Sequence, residues 1–280
     1  EEIIVNAPPE LISAGYGDLI GKLFSCLDWV LADVLGVEPL KGEVWNPMWD
    51  WASKLLNRRL DIQNRDPEAI RSLYEGLVIS GLGIQLYGGS RPASGTEHLI
   101  SHAWEITQTQ SNVSKVLHGH QVALGSLLSC ALMQEVSNLS IEEVEQSIYK
   151  TSLEDLLEKR LEQARKYLKK DKAYETIKGV ILQKTPGPEH LKARREKILN
   201  SWKSIQEKWK ELLPPYEKLK ERLYTAGCPT APKDLGFDAE EVRKGIVVAQ
   251  LIRNRYTVLD LLAETGLLKS VMERVIEEVV

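Results

Sequence analysis

The chain has 280 residues, 43% of them hydrophobic and 27% charged, and a formal net charge of −4. Such proportions fit a soluble globular protein with a sizeable core and give no global attraction to nucleic acid or to an anionic membrane. No run of about 18 apolar residues offers a membrane span, and three cysteines in no CxxC pair argue against a disulfide framework and a thiolate zinc site.

The opening EEIIVNAPPELI holds no basic segment followed by an apolar stretch, so a cytoplasmic location is the expectation. From there the apolar period is helical almost everywhere. Helices are predicted at 8–36, 47–60, 67–87, 95–109, 117–137, 140–150, 153–182, 188–213, 215–226, 239–254 and 256–279. Asp66 before Pro67 supplies a cap and a first-turn proline, and Gly88-Gly89 ends the same helix. Ser140 with Glu143, Thr151 with Glu154 and Asp238 with Glu241 have the capping-box spacing. No run alternates as a strand, so the fold class is all-α, with residues 1–280 forming one helical domain. Residues 151–222 carry 19 Lys or Arg against 12 Asp or Glu. That block reads as a solvated helical hairpin with interleaved charges rather than a basic binding surface. Trp202 and Trp209, seven apart, suit one buried helix stripe.

Four of the five histidines fall between positions 98 and 120, in SGTEHLISHAWE and VLHGHQVALG, and a glycine-flanked Asp18 stands upstream in AGYGDLIGK. Imidazole nitrogen is the commonest ligand for zinc-like cations, and a catalytic site keeps three protein ligands and an open position. His98 and His102, four apart, share a helix face. The metalloprotease helix needs Glu after its first His, and Leu99 stands there. The partner motif of a nucleobase deaminase is missing too. His118 and His120 face different directions on a helix, so only one is expected to be a ligand. GYGDLIG fails as a dinucleotide loop because its third glycine comes late and no strand precedes it.

AGYGDLIGK, GGSRPASGTEHLISHAWE, LHGHQVALG and IRNRYTVLDLLAETGLL together resemble the C-terminal half of the sn-glycerol-1-phosphate dehydrogenases, relatives of iron-type alcohol dehydrogenase, glycerol dehydrogenase and dehydroquinate synthase. The resemblance covers most of residues 5–135 and 223–268 and is most specific at SRPASGTEH. It implies a helical metal-binding domain of a dehydroquinate synthase-like enzyme, and an N-terminal α/β cofactor domain absent from these residues. It implies Asp18, His98 and His118 as metal ligands and His102 beside the substrate and nicotinamide, while His120 departs from the family pattern. The implied chemistry is hydride transfer between dihydroxyacetone phosphate and NADH or NADPH, a step in phospholipid precursor synthesis.

Several expectations follow from the residues and the resemblance together. A divalent ion, Zn by default with Ni or Fe compatible, would polarise the C2 oxygen. His102 would relay a proton or orient a ligand. Ser90 and Arg91 would hold the substrate phosphate, Arg91 alternatively capping the preceding helix. Arg253 and Arg255 would pair with acidic helices. The partners expected are a small phosphorylated substrate, the missing cofactor domain or subunit and a second copy in a homodimer. As it stands the chain would bind metal without turning over nicotinamide. The competing readings are a non-enzymatic metal-stabilised helical module, and a polyol dehydrogenase or dehydroquinate synthase-like enzyme with another substrate.

Overall fold

The structure is a computed structural model that describes residues 2–108, 116–152, 155–168 and 171–280. Among these residues every regular element is helical, in agreement with the all-α expectation. After the short α1 (Glu2–Val5), α2 (Pro9–Val34) forms the axis of the molecule. Its residues from Ile12 to Ala32 are almost all buried, because the helix is apolar or small on every side. Against it pack α3 (Gly42–Leu56), α5 (Pro67–Tyr87), α6 (Thr96–Gln108) and α7 (His118–Asn138), while α4 (Arg59–Gln63) bridges α3 and α5.

Local chemistry sets the boundaries. The Asp66 carboxylate accepts the Ala69 N–H at 2.9 Å, and Gly88 at φ 78° closes α5 in the left-handed conformation. Ser140 and Glu143 form both bonds of the capping box that opens α8 (Ile141–Lys150). The pairing of Thr151 with Glu154 lies partly outside the described residues. The helix expected at 47–60 begins earlier, at Gly42. Pro47 lies inside it and leaves the Glu43 carbonyl without its intrahelical N–H.

Two long predicted helices are each divided. The stretch 153–182 becomes α9 (Asp155–Tyr167) and α10 (Asp171–Lys184), which pack against each other. The stretch 256–279 becomes α14 (Val258–Glu264) and α15 (Leu268–Val279), separated at Gly266, whose φ of 78° ends the first. Between these pairs run α11 (Pro188–Leu212), α12 (Tyr216–Thr225) and α13 (Ala239–Leu251).

The tryptophan stripe is buried as expected. Ile198, Trp202, Ile205 and Trp209 of α11 join the main core, and α11 lies on α2, α7 and α8. The charged block is more than solvated surface. Arg160 and Lys184 approach the buried Asp260 at 3.2 and 2.8 Å, Arg194 meets Glu264 at 2.8 Å, and Arg195 Nε donates to the Glu264 carbonyl at 2.7 Å. No single helix among the described residues is long and apolar enough to cross a membrane.

The crossings of α2, α6 and α7 are very close. A methyl group on Gly119 would lie 1.9 Å from the Ala14 carbonyl oxygen, and one on Gly125 would lie 2.4 Å from that of Glu97. Gly17 faces Gly119, and Gly21 faces Val122. Backbone meets backbone here, so Asp18 on α2, His98 on α6 and His118 at the start of α7 are carried to one place.

Candidate metal centre

Asp18 Oδ1 lies 3.0 Å from His98 Nε2 and 4.0 Å from His118 Nε2. One donor atom from each of the three residues fits within 4.8 Å of the others. Metal–ligand bonds of about 2.0–2.2 Å place ligands of a tetrahedral ion about 3.3–3.5 Å apart, so the separations of Asp18 from the two imidazoles lie within about 0.7 Å of the spacing around a cation. His98 is buried, Asp18 is half-buried, and the His118 side chain is 41% exposed. One side is therefore open to water or substrate.

The far side of each imidazole is held by a carboxylate. Glu97, fully buried, receives the Nδ1–H of His98 at 2.8 Å through Oε1, which also accepts the Gly95 N–H at 2.9 Å. Glu105 Oε1 lies 2.9 Å from His118 Nδ1, with Ser101 Oγ at 3.2 Å from the same nitrogen. A proton kept on Nδ1 by these carboxylates frees the Nε2 lone pair for a bound ion, the arrangement that metal-binding histidines need.

Lys22, four residues after Asp18, completes the picture. Its ammonium is 3.1 Å from Asp18 Oδ2 and 3.1 Å from His98 Nε2, and its side chain is only 4% exposed. A cation thus sits among the donors that would bind a metal ion. Burial pushes the Asp18 carboxyl up, but Lys22 and His98 together outweigh it and hold the group well below the usual carboxylate range. Asp, His and His with fixed tautomers fit a divalent ion of the zinc class on donor type, spacing and charge.

The other histidines separate. His102 Nδ1 contacts Glu105 Oε2 at 3.0 Å, and its ring centroid is 5.5 Å from that of His118 and 6.3 Å from that of His98. Burial lowers its pKa against the pull of Glu105. His120 points elsewhere, with Nε2 2.8 Å from Ser13 Oγ. Of the two histidines from which one ligand was expected, His118 lies toward Asp18 and His120 toward Ser13.

The arginines require correction. Arg91 is 2% exposed, and its two Nη groups donate to the main-chain carbonyls of Tyr256 and Asp28, both at 2.8 Å, with Glu38 at 3.3 Å from Nε. Its fork is spent on the protein's own backbone, which removes it from the phosphate-holding role, and the carbonyls it meets are not those of the preceding helix. Ser90 Oγ accepts from Arg255 Nη2 at 2.7 Å, so Ser90 and Arg255 form one structural pair. Arg255 also donates to the Ser94 carbonyl rather than to an acidic helix, and Arg253 is exposed. Burial and the neighbouring Arg91 lower the Arg255 pKa to about 10.

Lys22, Glu97, Glu105 and Asp28 were not among the residues expected from sequence. Asp28, fully buried, accepts the N–H groups of Thr96 at 2.7 Å and Val258 at 2.8 Å, tying the start of α6 to the start of α14. Burial raises its carboxyl to about 7 despite the adjacent Arg91. Spacing held the clue for two of the others: Lys22 is one helical turn from Asp18, and Glu105 is three residues from His102.

No protein-family model matches the chain. Among curated proteins it is 27% identical over 271 residues to a glycerol-1-phosphate dehydrogenase (NAD(P)+) of Bacillus licheniformis, covering 97% of this chain and 54% of that protein. A second so named, from Korarchaeum cryptofilum, is 25% identical over 272 residues, covering 97% of this chain and 60% of the relative. A third, from Staphylothermus marinus, is 39% identical over 135 residues, covering 45% of this chain and 35% of the relative. The glycerol-1-phosphate dehydrogenases are its homologues. The family read from GYGDLIG, SRPASGTEH and LHGHQ is thus the one that the comparisons return, in both bacteria and archaea. The chain spans about half the length of the curated relatives it matches.

Proposed function

We propose that this chain is the metal-binding part of an NAD(P)-linked oxidoreductase that interconverts dihydroxyacetone phosphate and sn-glycerol 1-phosphate. The nicotinamide would be held by an α/β half or subunit that these residues do not supply. The observation that carries the reading is the convergence of Asp18 Oδ1, His98 Nε2 and His118 Nε2, each imidazole fixed from behind by its own carboxylate. Homology to proteins named for the substrate and cofactor supports the reaction class.

A divalent ion bound there, zinc by default, would act as a Lewis acid toward the oxygen on the carbon that exchanges hydride. Asp18 contributes the anionic ligand and partly neutralises the site. Glu97 and Glu105 hold protons at His98 Nδ1 and His118 Nδ1, so both rings present Nε2 without rearrangement, and preorganisation of this kind is what makes such sites effective. His102, with Nδ1 toward Glu105, is left with Nε2 to take or return the hydroxyl proton. Before an ion binds, the Lys22 ammonium neutralises Asp18 and must withdraw on loading.

The test is the zinc retained after dialysis against a weak chelator. One tightly held zinc per chain is expected, lost in Asp18→Ala, and glycerol-1-phosphate-dependent reduction of NAD(P)+ by a longer protein containing this segment should vanish with the same change. Retained zinc and retained activity in the variant would reject the reading.

A further inference from the structure

Outside the Asp18 site, a second set of donors lies on the exposed face of the same helices. His102 and Glu105, one turn apart on α6, meet His118 from α7, and one donor atom from each lies within 4.8 Å of the others. His102 Nδ1 is 3.0 Å from Glu105 Oε2, and His118 Nδ1 is 2.9 Å from Glu105 Oε1, so one carboxylate stands between two imidazole nitrogens. The three side chains are 33%, 43% and 41% exposed, open to an ion arriving from solvent. We propose that His102, Glu105 and His118 form a second, weaker divalent-cation site that takes zinc in excess and shares His118 with the first.

Donor chemistry and spacing carry this. Two imidazoles and one carboxylate leave coordination positions for water, and widening the present 2.9 and 3.0 Å contacts by a few tenths of an ångström gives about the 3.3–3.5 Å separation expected across a tetrahedral ion. The His118 ring offers Nε2 inward to Asp18 and Nδ1 outward to Glu105. A neutral imidazole has one lone-pair nitrogen, so an ion on Nδ1 must displace the proton that Glu105 holds there. The second ion is therefore expected to bind at least about tenfold more weakly than the first, in line with the cost of disturbing a ligand's outer partner.

Zinc alone, titrated into the 280-residue chain by equilibrium dialysis with elemental analysis, separates the sites. Wild type should reach two zinc ions per chain in two phases. His102→Ala should keep the tight phase and lose the weak one, and Asp18→Ala should keep one zinc that the Asp18→Ala, His102→Ala double variant loses. His102 is partly exposed, and far-ultraviolet circular dichroism checks that each variant is folded. Saturation of wild type at one zinc, or two zinc ions retained by His102→Ala, overturns the second site while leaving the Asp18 site intact. A His102-dependent zinc without any Asp18-dependent one would uphold the second site and reject the first.

Discussion

Replacing Gly119 with Ala tests whether the close crossing of α2 and α7 builds the metal centre. The added methyl would stand 1.9 Å from the Ala14 carbonyl oxygen and 2.5 Å from its carbon, whereas ordinary contact begins at 3.4 Å. Both sides of the clash are main chain, so no side chain can swing away. The first turn of α7 must retreat from α2 by about 1.5 Å, the gap between those distances. His118 opens α7 next to this glycine, and its Nε2 is already 4.0 Å from Asp18 Oδ1. A retreat of that size takes it out of reach of an ion held by Asp18 and His98. Zinc affinity should fall by at least about 10- to 100-fold, the range caused by loss of an outer partner alone. Overpacking of about 3 kcal/mol should lower Tm by roughly 6–12 °C for a chain of this size. Gly81→Ala is the control, because nothing lies within 4 Å of its added methyl, and in an exposed helix that change should be neutral or slightly stabilising. Chelator competition and thermal melting read both quantities. A Gly119→Ala protein with wild-type zinc affinity and a Tm within about 2 °C would refute the steric argument.

Glu97→Gln should keep the helices but weaken zinc binding roughly 10- to 100-fold, because His98 loses the carboxylate that fixes its proton; an unchanged dissociation constant would count against that role. Lys22→Met should destabilise the metal-free chain by about 2 kcal/mol, since it strips a largely buried carboxylate of its partner, and zinc should restore the melting temperature; failure of zinc to do so would show that the ammonium and the metal do not share a place. The Asp18 carboxyl is held below its ordinary range, so its stabilising share is complete above the ordinary carboxylate pKa and disappears as pH falls toward the depressed value. Metal-free wild type and Asp18→Asn should accordingly differ by about 2 kcal/mol at neutral pH and converge in acid, as denaturant melts at stepped pH would reveal; a constant gap would exclude this electrostatic origin.

The helices were legible wherever period and caps agreed. Asp66, Ser140 and Asp238 each accept the N–H three residues on, as their spacing implied. The break between α14 and α15 was hidden because Gly266 sits inside an unbroken apolar period, and only its positive φ shows that the chain turns. At the candidate site, clustering pointed to the histidines and Asp18, and the resemblance set His102 apart from His98 and His118, while Glu105 came into view only once the rings had directions. Arg91 misled because residue type was read without burial: a guanidinium suits phosphate and a pair of carbonyls equally well, and only packing decides which it meets. Lys22 carried a readable spacing to Asp18, but a Lys one turn from an Asp usually forms a surface pair, and here neighbouring helices enclose it.

Asp260 and Glu264, one turn apart on α14 and both 1% exposed, draw their counter-charges from α9, α10 and α11. The charged block is consequently not a detachable ornament. Shortening or replacing it would strand two acids in the interior, a defect of several kcal/mol for each unpaired ion. A relative that lacks these helices is therefore expected to carry neutral residues at both positions, so the fate of the charged block should be legible in a helix far downstream of it.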